Sequence, residues 1–298
     1  MGISIVSMHG YYEFAKGRFL PEKPRQVFSL AERALMPFIE LRQIPANLSH
    51  IVVSTTCPDM LAPSLGQMIN EKYNSIFSDC HTIDIVQGCA GGVTAMILGS
   101  QLAEMHKSSV IVLQADAAKK ATSVSEMINE IFGNGSFACI IRHEESKKKM
   151  IHYKSRQYGG LSEVVTVKLG HDADEIIKLE RTDMALDPRK HLGLTMNNTL
   201  ALRLVKNAEN FYLEFVSEST KPDIMILHQV NPVILSHLKE VFSKYSIDFV
   251  DVVNETGNCG VASVGIALNK IKDRIENKKV FLCSFGTGGV ITAGLWQN

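Results

Sequence analysis

Asp84-Ile85-Val86-Gln87-Gly88-Cys89-Ala90-Gly91-Gly92 is the stretch on which the reading of this chain turns. An apolar run ends in a glycine turn, and Ala90 to His106 then carries apolar residues at three-to-four spacing. That pattern predicts a strand, a tight turn and a helix. The first turns of the helix are apolar or small, which predicts a central, buried position. A cysteine at such a junction sits at the positive end of a helix dipole, which favours thiolate over thiol. Its small neighbours leave room for a thioester. The same string also describes plain close packing of strand on helix, so a nucleophile reading needs partners elsewhere in the chain.

Two further strand ends carry polar residues. Ile226-Leu227-His228-Gln229-Val230-Asn231-Pro232 closes an apolar strand and places proline where a helix can begin. A histidine leaving a strand there can face a cleft, or it can be a satisfied structural histidine. Asn254-Glu255-Thr256-Gly257-Asn258-Cys259-Gly260-Val261-Ala262-Ser263 is a turn that opens another small-residue helix. Asparagine and glycine favour helix caps, and an asparagine amide can equally serve as a donor to an oxygen that gains negative charge.

Strand-like and helix-like segments alternate along the chain. Residues 3–8, 50–55, 82–86, 109–114 and 137–141 predict strands, with helices over 28–41, 64–73 and 90–106. Beyond a charged hinge at Glu144 to Lys149 a second series follows. Its strands are predicted over 151–153, 224–227, 249–253, 280–284 and 290–295, and its helices over 195–218, 232–242 and 261–277. Such alternation implies an α/β fold with parallel strands and right-handed crossovers. Each series ends near a glycine-rich turn, Phe132-Gly133-Asn134-Gly135 in one and Phe285-Gly286-Thr287-Gly288-Gly289 in the other, as an internal duplication would. The expected division is an N-terminal half over residues 1–145, carrying Cys89, and a C-terminal half over 146–298, carrying His228 and Asn258. Tyr158 to Leu194, polar and charged, reads as an insertion over the core, and Lys16 to Arg25 as a surface loop.

Composition narrows the function classes. The chain has 298 residues, 45% of them hydrophobic, enough to bury a large core. Lys plus Arg and Asp plus Glu are equal at 31 each, so no net field draws it to nucleic acid or to an anionic membrane. The start lacks the pattern of a secretory signal and no apolar run reaches membrane-spanning length, so a cytoplasmic location is expected. Six dispersed cysteines without CxxC pairs predict reduced thiols, five of them packed as small hydrophobes. The histidines show no metal-ligand spacing, and Phe132-Gly133-Asn134-Gly135 lacks the lysine of a phosphate loop, so a structural turn and no metal are expected.

Taken together, the three sites in this order and spacing resemble the ketoacyl-acyl-carrier-protein synthase III family. The resemblance runs from about His50 to the C-terminus. It includes Val52-Val53-Ser54-Thr55-Thr56, Pro63-Ser64, the Cys89 stretch, Phe132 to Gly135, His228-Gln229-Val230-Asn231, Gly257-Asn258, Ala262-Ser263 and the Phe285 to Gly289 turn. It implies the duplicated, five-layered αβαβα thiolase fold with mixed sheets, normally a homodimer. It also implies that Cys89 takes an acyl group from a thioester, and that His228 and Asn258 bind the carbonyl of a malonyl-type thioester whose decarboxylation yields the attacking carbon. By position, the backbone N–H groups of Cys89 and Thr287 would form the oxyanion hole; at Thr287 the family commonly has glycine. Phe285 matches an aromatic residue that shields the cysteine, and Ala62 stands where a bulkier residue often closes the acyl pocket.

No permanent cofactor is implied; acyl-coenzyme A or the phosphopantetheine arm of an acyl-carrier protein would be substrate. The sequence departs from the family in a shorter N-terminal region, in lacking the Trp and Arg that hold coenzyme A, and in Val233 where an Arg is common. Two alternatives stay open. One is acyl transfer to an oxygen, nitrogen or sulfur nucleophile with His228 as base. The other is a non-catalytic subunit of a heteromeric synthase.

Overall fold

The strand Ser109–Ala117 (β4) is buried at every position, as expected of a strand covered on both faces. It pairs in parallel with β2 (Leu48–Ser54) and antiparallel with β5 (Asn134–Glu144). β3 (His81–Ile85) adds in parallel beyond β2, and β1 (Gly2–Glu13) runs antiparallel beside β5. The first sheet therefore has the order β1-β5-β4-β2-β3. This computed structural model describes residues 2–14, 26–121, 130–145, 148–161, 165–169, 192–196 and 198–297.

The second sheet repeats the plan. It is built from β6 (Lys149–Gln157), β9 (Ile224–Leu227), β10 (Asp248–Val250), β11 (Lys279–Gly286) and β12 (Val290–Gln297), in the order β10-β9-β11-β12-β6. Matching its strands in chain order with β1 to β5 reproduces the first sheet position for position, including which neighbours are parallel. Both sheets are mixed, as the resemblance implies: in each, the first and last strands of the series pair antiparallel. A separate antiparallel pair, β7 (Val165–Leu169) and β8 (Leu192–Met196), begins in the segment read as an insertion and ends at Met196, inside the span expected to be helical from 195. Lys16 to Arg25, read as a loop, falls outside the described residues.

Helices fill three layers around the two sheets. The helix α1 (Val27–Glu40) buries Val27, Leu30, Ala31, Ala34, Leu35 and Phe38, a three-to-four repeat that covers the outer face of the first sheet. Asp59 accepts the Val27 and Phe28 N–H groups at 2.9 and 2.8 Å, capping α1 from a loop and pairing with Lys120. Next come α2 (Leu65–Lys72), started by a Ser64–Gln67 capping box, and the short α3 (Asn74–Phe77). The central layer is α4 (Gly91–His106) with α8 (Ser263–Lys270), packed between the sheets in one apolar core. On the far face α5 (Asn198–Ser217) and α6 (Pro232–Phe242) cover the second sheet. A short α7 (Val253–Thr256) precedes the Asn258 turn.

Trp296, on β12, is 2% exposed and donates its indole N–H to Ser100 Oγ of α4 at 3.1 Å, joining the second sheet to the central layer. Truncating it removes the largest fully buried side chain and unpairs that contact. Trp296→Ala should lower unfolding free energy by ~3–5 kcal/mol, read as a shift in denaturant midpoint; a loss below ~1 kcal/mol would show that the plug is not structural.

Candidate active site

Cys89 lies between β3 and α4 on a turn that only glycine can make easily. Gly88 has φ +53°, and a Cβ there would stand 2.9 Å from the backbone nitrogen of Thr287. The Thr287 N–H is thereby brought against the Gly88–Cys89 turn. Gly286 packs as tightly, with a hypothetical Cβ 2.7 Å from that of Ala90.

Three consecutive residues of β11 assemble the rest. Cys283 accepts the His228 N–H through its backbone oxygen at 2.8 Å. The Ser284 hydroxyl donates to the backbone oxygen of Cys89 at 2.8 Å. The Phe285 backbone oxygen lies 3.0 Å from His228 Nδ1. His228 Nε2 is in turn 3.0 Å from Asn258 Oδ1. Gln229 braces the same turn: its amide donates to the Leu227 oxygen at 2.7 Å and accepts the Val252 N–H at 2.9 Å. Asn231 caps α6 through the Ile234 N–H at 2.8 Å, with Pro232 in the first turn.

Asn258 is held at both ends. Its backbone N–H donates to Ile131 and its oxygen accepts from Gly133, so the Phe132 turn of the first series pairs with it as a strand would. Its Oδ1 accepts from the Gly260 N–H at 3.0 Å and the Ser263 hydroxyl at 3.2 Å. An N–H can only donate, which fixes the amide orientation. That orientation leaves Nδ2 as the donor end of the amide.

Electrostatics corrects one expectation. The helix dipole was expected to favour a Cys89 thiolate, yet burial and, after it, the Asp116 charge push the half-buried thiol up to about 12. Desolvation outweighs half a unit of helix charge. Burial also takes His228 down to about 4, against the opposing hydrogen bonds of Asn258 and Phe285. At neutral pH the ring is uncharged and holds one proton, which it can give to only one of the two oxygens it faces.

Cys89, His228, Asn258, Phe285 and the Thr287 backbone thus come together. Ala62 does not join them: it is exposed, on a loop with a cis bond to Pro63. All six cysteines are free; Cys57, Cys139, Cys259 and Cys283 are buried, and Cys80 is half-buried against the core under the first sheet. Asp116 and Ser284 were missed by sequence reading, since each acts on residues distant along the chain, and Gln229 and Ser263 were quoted in motifs without the roles the structure gives them. Among the described residues no group of three His, Cys, Asp or Glu side chains could hold a metal ion, and no helix is long and apolar enough to cross a membrane.

Comparisons with known proteins agree with this layout. The family described as 3-oxoacyl-(acyl-carrier-protein) synthase III C terminal matches residues 218–298. A beta-ketoacyl-(acyl-carrier-protein) synthase III of Desulfotalea psychrophila is 27% identical over 277 residues, 88% of this chain and 82% of that protein. A solved 3-oxoacyl-(acyl-carrier-protein) synthase III from Aquifex aeolicus superposes with TM-score 0.81 at 17% identity, covering 100% of both chains. The chain is similar to ketoacyl synthase III condensing enzymes along most of its length and shares their fold. A variant of Xanthomonas campestris OleA shares the fold at TM-score 0.73 and 17% identity, covering 94% of this chain and 84% of that one. The synthase III-like fold accounts for the repeated sheets and for strand ends that converge at one place.

A thiol held near 12 is almost wholly protonated at neutral pH. Iodoacetamide labelling of Cys89, followed by peptide mass spectrometry, should therefore rise about tenfold per pH unit from pH 7 to pH 10. A plateau reached below pH 8 would mean that the free enzyme already holds a thiolate.

Proposed function

We propose that this enzyme transfers an acyl group from a thioester to Cys89 and condenses it with a malonyl-type thioester, releasing carbon dioxide, in fatty-acid or specialised secondary metabolism. The observation that carries this reading is the β11 constellation, which brings a thiol, a neutral imidazole and an oriented amide together at converging strand ends.

In the first step Cys89 Sγ bonds to the acyl carbon and the donor's C–S bond breaks. The thiol proton leaves with the donor thiol. Backbone N–H groups of Cys89 and Thr287 serve the tetrahedral oxyanion, and Phe285 shields the sulfur. In the second step the C–C bond to the malonyl carboxylate breaks and carbon dioxide departs. The enolate oxygen takes hydrogen bonds from His228 Nε2 and Asn258 Nδ2, and its carbon bonds to the acyl carbon as the Cys89 sulfur leaves and is reprotonated. No permanently bound cofactor is required. The acyl donor is acyl-coenzyme A or an acyl-carrier-protein phosphopantetheine, and the exposed Val233 at the start of α6 leaves that side without the arginine common in the family.

The functional unit is a homodimer. The outer edge of β3 has no neighbouring strand among the described residues, and Val86 just beyond it is 79% exposed, which supports a second copy there. Residues 1–145 and 146–298 act as two halves of one catalytic unit, because Cys89 comes from one and His228 with Asn258 from the other. Each half expressed alone should show no transfer activity; activity in either would refute the shared-site layout.

The deciding experiment is intact-protein mass spectrometry of wild type and Cys89→Ser after acetyl-, butyryl- and octanoyl-coenzyme A or their acyl-carrier-protein thioesters, followed by malonyl thioester. A Cys89-dependent adduct discharged with carbon dioxide release is expected. An adduct that malonyl thioester does not discharge would favour transfer to another nucleophile, and the absence of any adduct would favour a non-catalytic subunit.

A further inference from the structure

We propose that Asp116 is a positioning residue that aims the Asn258 amide relative to Cys89 across the junction of the two sheets, a role that rests on the catalytic reading above.

Asp116, the penultimate residue of β4, is fully buried and spends both carboxylate oxygens on other segments. Oδ1 accepts the Thr56 N–H at 2.7 Å and the Thr55 hydroxyl at 3.1 Å, with Cys57 Sγ at 3.5 Å. Oδ2 accepts the Val261 N–H at 2.8 Å. Val261 follows Gly260, whose own N–H holds Asn258 Oδ1. Fixing the Gly260–Val261 peptide from the carboxylate side therefore sets where the Asn258 side chain points, while the Phe132 turn sets only its backbone. Gly260 is at φ +56°, and a Cβ there would collide with Asp116 Oδ2, so the approach leaves no room for a side chain.

An ionised carboxylate offers acceptor sites on both oxygens. Burial raises the Asp116 pKa, and the Val261 and Thr56 donors pull it back. Its charge reaches the thiols of Cys89, Cys57 and Cys259; Lys120 opposes it at Cys57 and Lys119 at Cys259, whereas among the described residues no cation offsets it at Cys89. The residue thus orients the donor of the second step and holds back the nucleophile of the first.

Asp116→Asn keeps the shape but must turn an NH2 toward either Thr56 N–H or Val261 N–H, breaking the clamp on one side. With whichever donor of the panel labels wild-type Cys89, acylation should be retained or faster, while discharge by malonyl-coenzyme A or malonyl-acyl-carrier protein falls about tenfold. Cys89 alkylation by iodoacetamide should shift to lower pH, by about tenfold in rate at pH 8. Parallel losses in both steps, or unchanged discharge, would overturn the proposal. Should Asp116→Asn not fold, wild-type hydrogen exchange decides: the Val261 amide should be protected like a core strand, and exchange at the rate of a solvated loop would sink the clamp. A wild type that no donor labels would overturn the catalytic reading instead, leaving the alkylation shift and the Val261 amide to judge the clamp alone.

Discussion

The site depends on one strand keeping its register. Cys283 and Phe285 hold His228 while Ser284 between them holds Cys89, and a strand turns its groups to opposite sides at every residue. A slip of one position in β11 would exchange the hydroxyl that holds Cys89 for the neighbour that holds His228. That register is fixed on both flanks, by β9 in parallel and β12 antiparallel. The precision of the site is thus inherited from the sheet.

Around that strand the chemistry is set by competition between burial and hydrogen bonding. The thiol and the imidazole are both kept neutral by their surroundings, for the same reason: each charged form would lose more hydration than its partners return. Uncharged groups at rest tolerate an apolar acyl chain beside them. On the proposed reaction, charge develops only beside the Thr287 N–H and the Asn258 amide, donors already in place.

Much of this could be read from sequence because the informative residues sit at strand ends punctuated by glycine or proline. Cys89, His228 and Asn258 each follow a short apolar run, and the helices around them were found to within a few residues. The helix expected to reach Asn277 instead ends at Lys270, giving way to a 3-10 turn at Lys272–Arg274, with Asn277 at φ +58°. The strand expected over 249–253 stops at Val250, where the chain turns into α7. β7 and β8 escaped because each is five residues long in polar surroundings. Asp116 carried no local sign: its partners lie 60 and 145 residues away along the chain. The Phe132 turn was legible as a turn, but its pairing with Asn258 is a property of the folded chain alone.

The repeated strand order has a consequence for how such a site can exist at all. Cys89 follows β3 and Asn258 follows β10, which are the same position in the two sheets. An assembly of two identical subunits of this plan would put one residue type at both places, thiol facing thiol or amide facing amide. Only when the two copies are written separately, in one continuous polypeptide, can one turn carry a thiol and its twin an amide. The covalent link between the halves is therefore what lets a symmetric scaffold carry an asymmetric reaction.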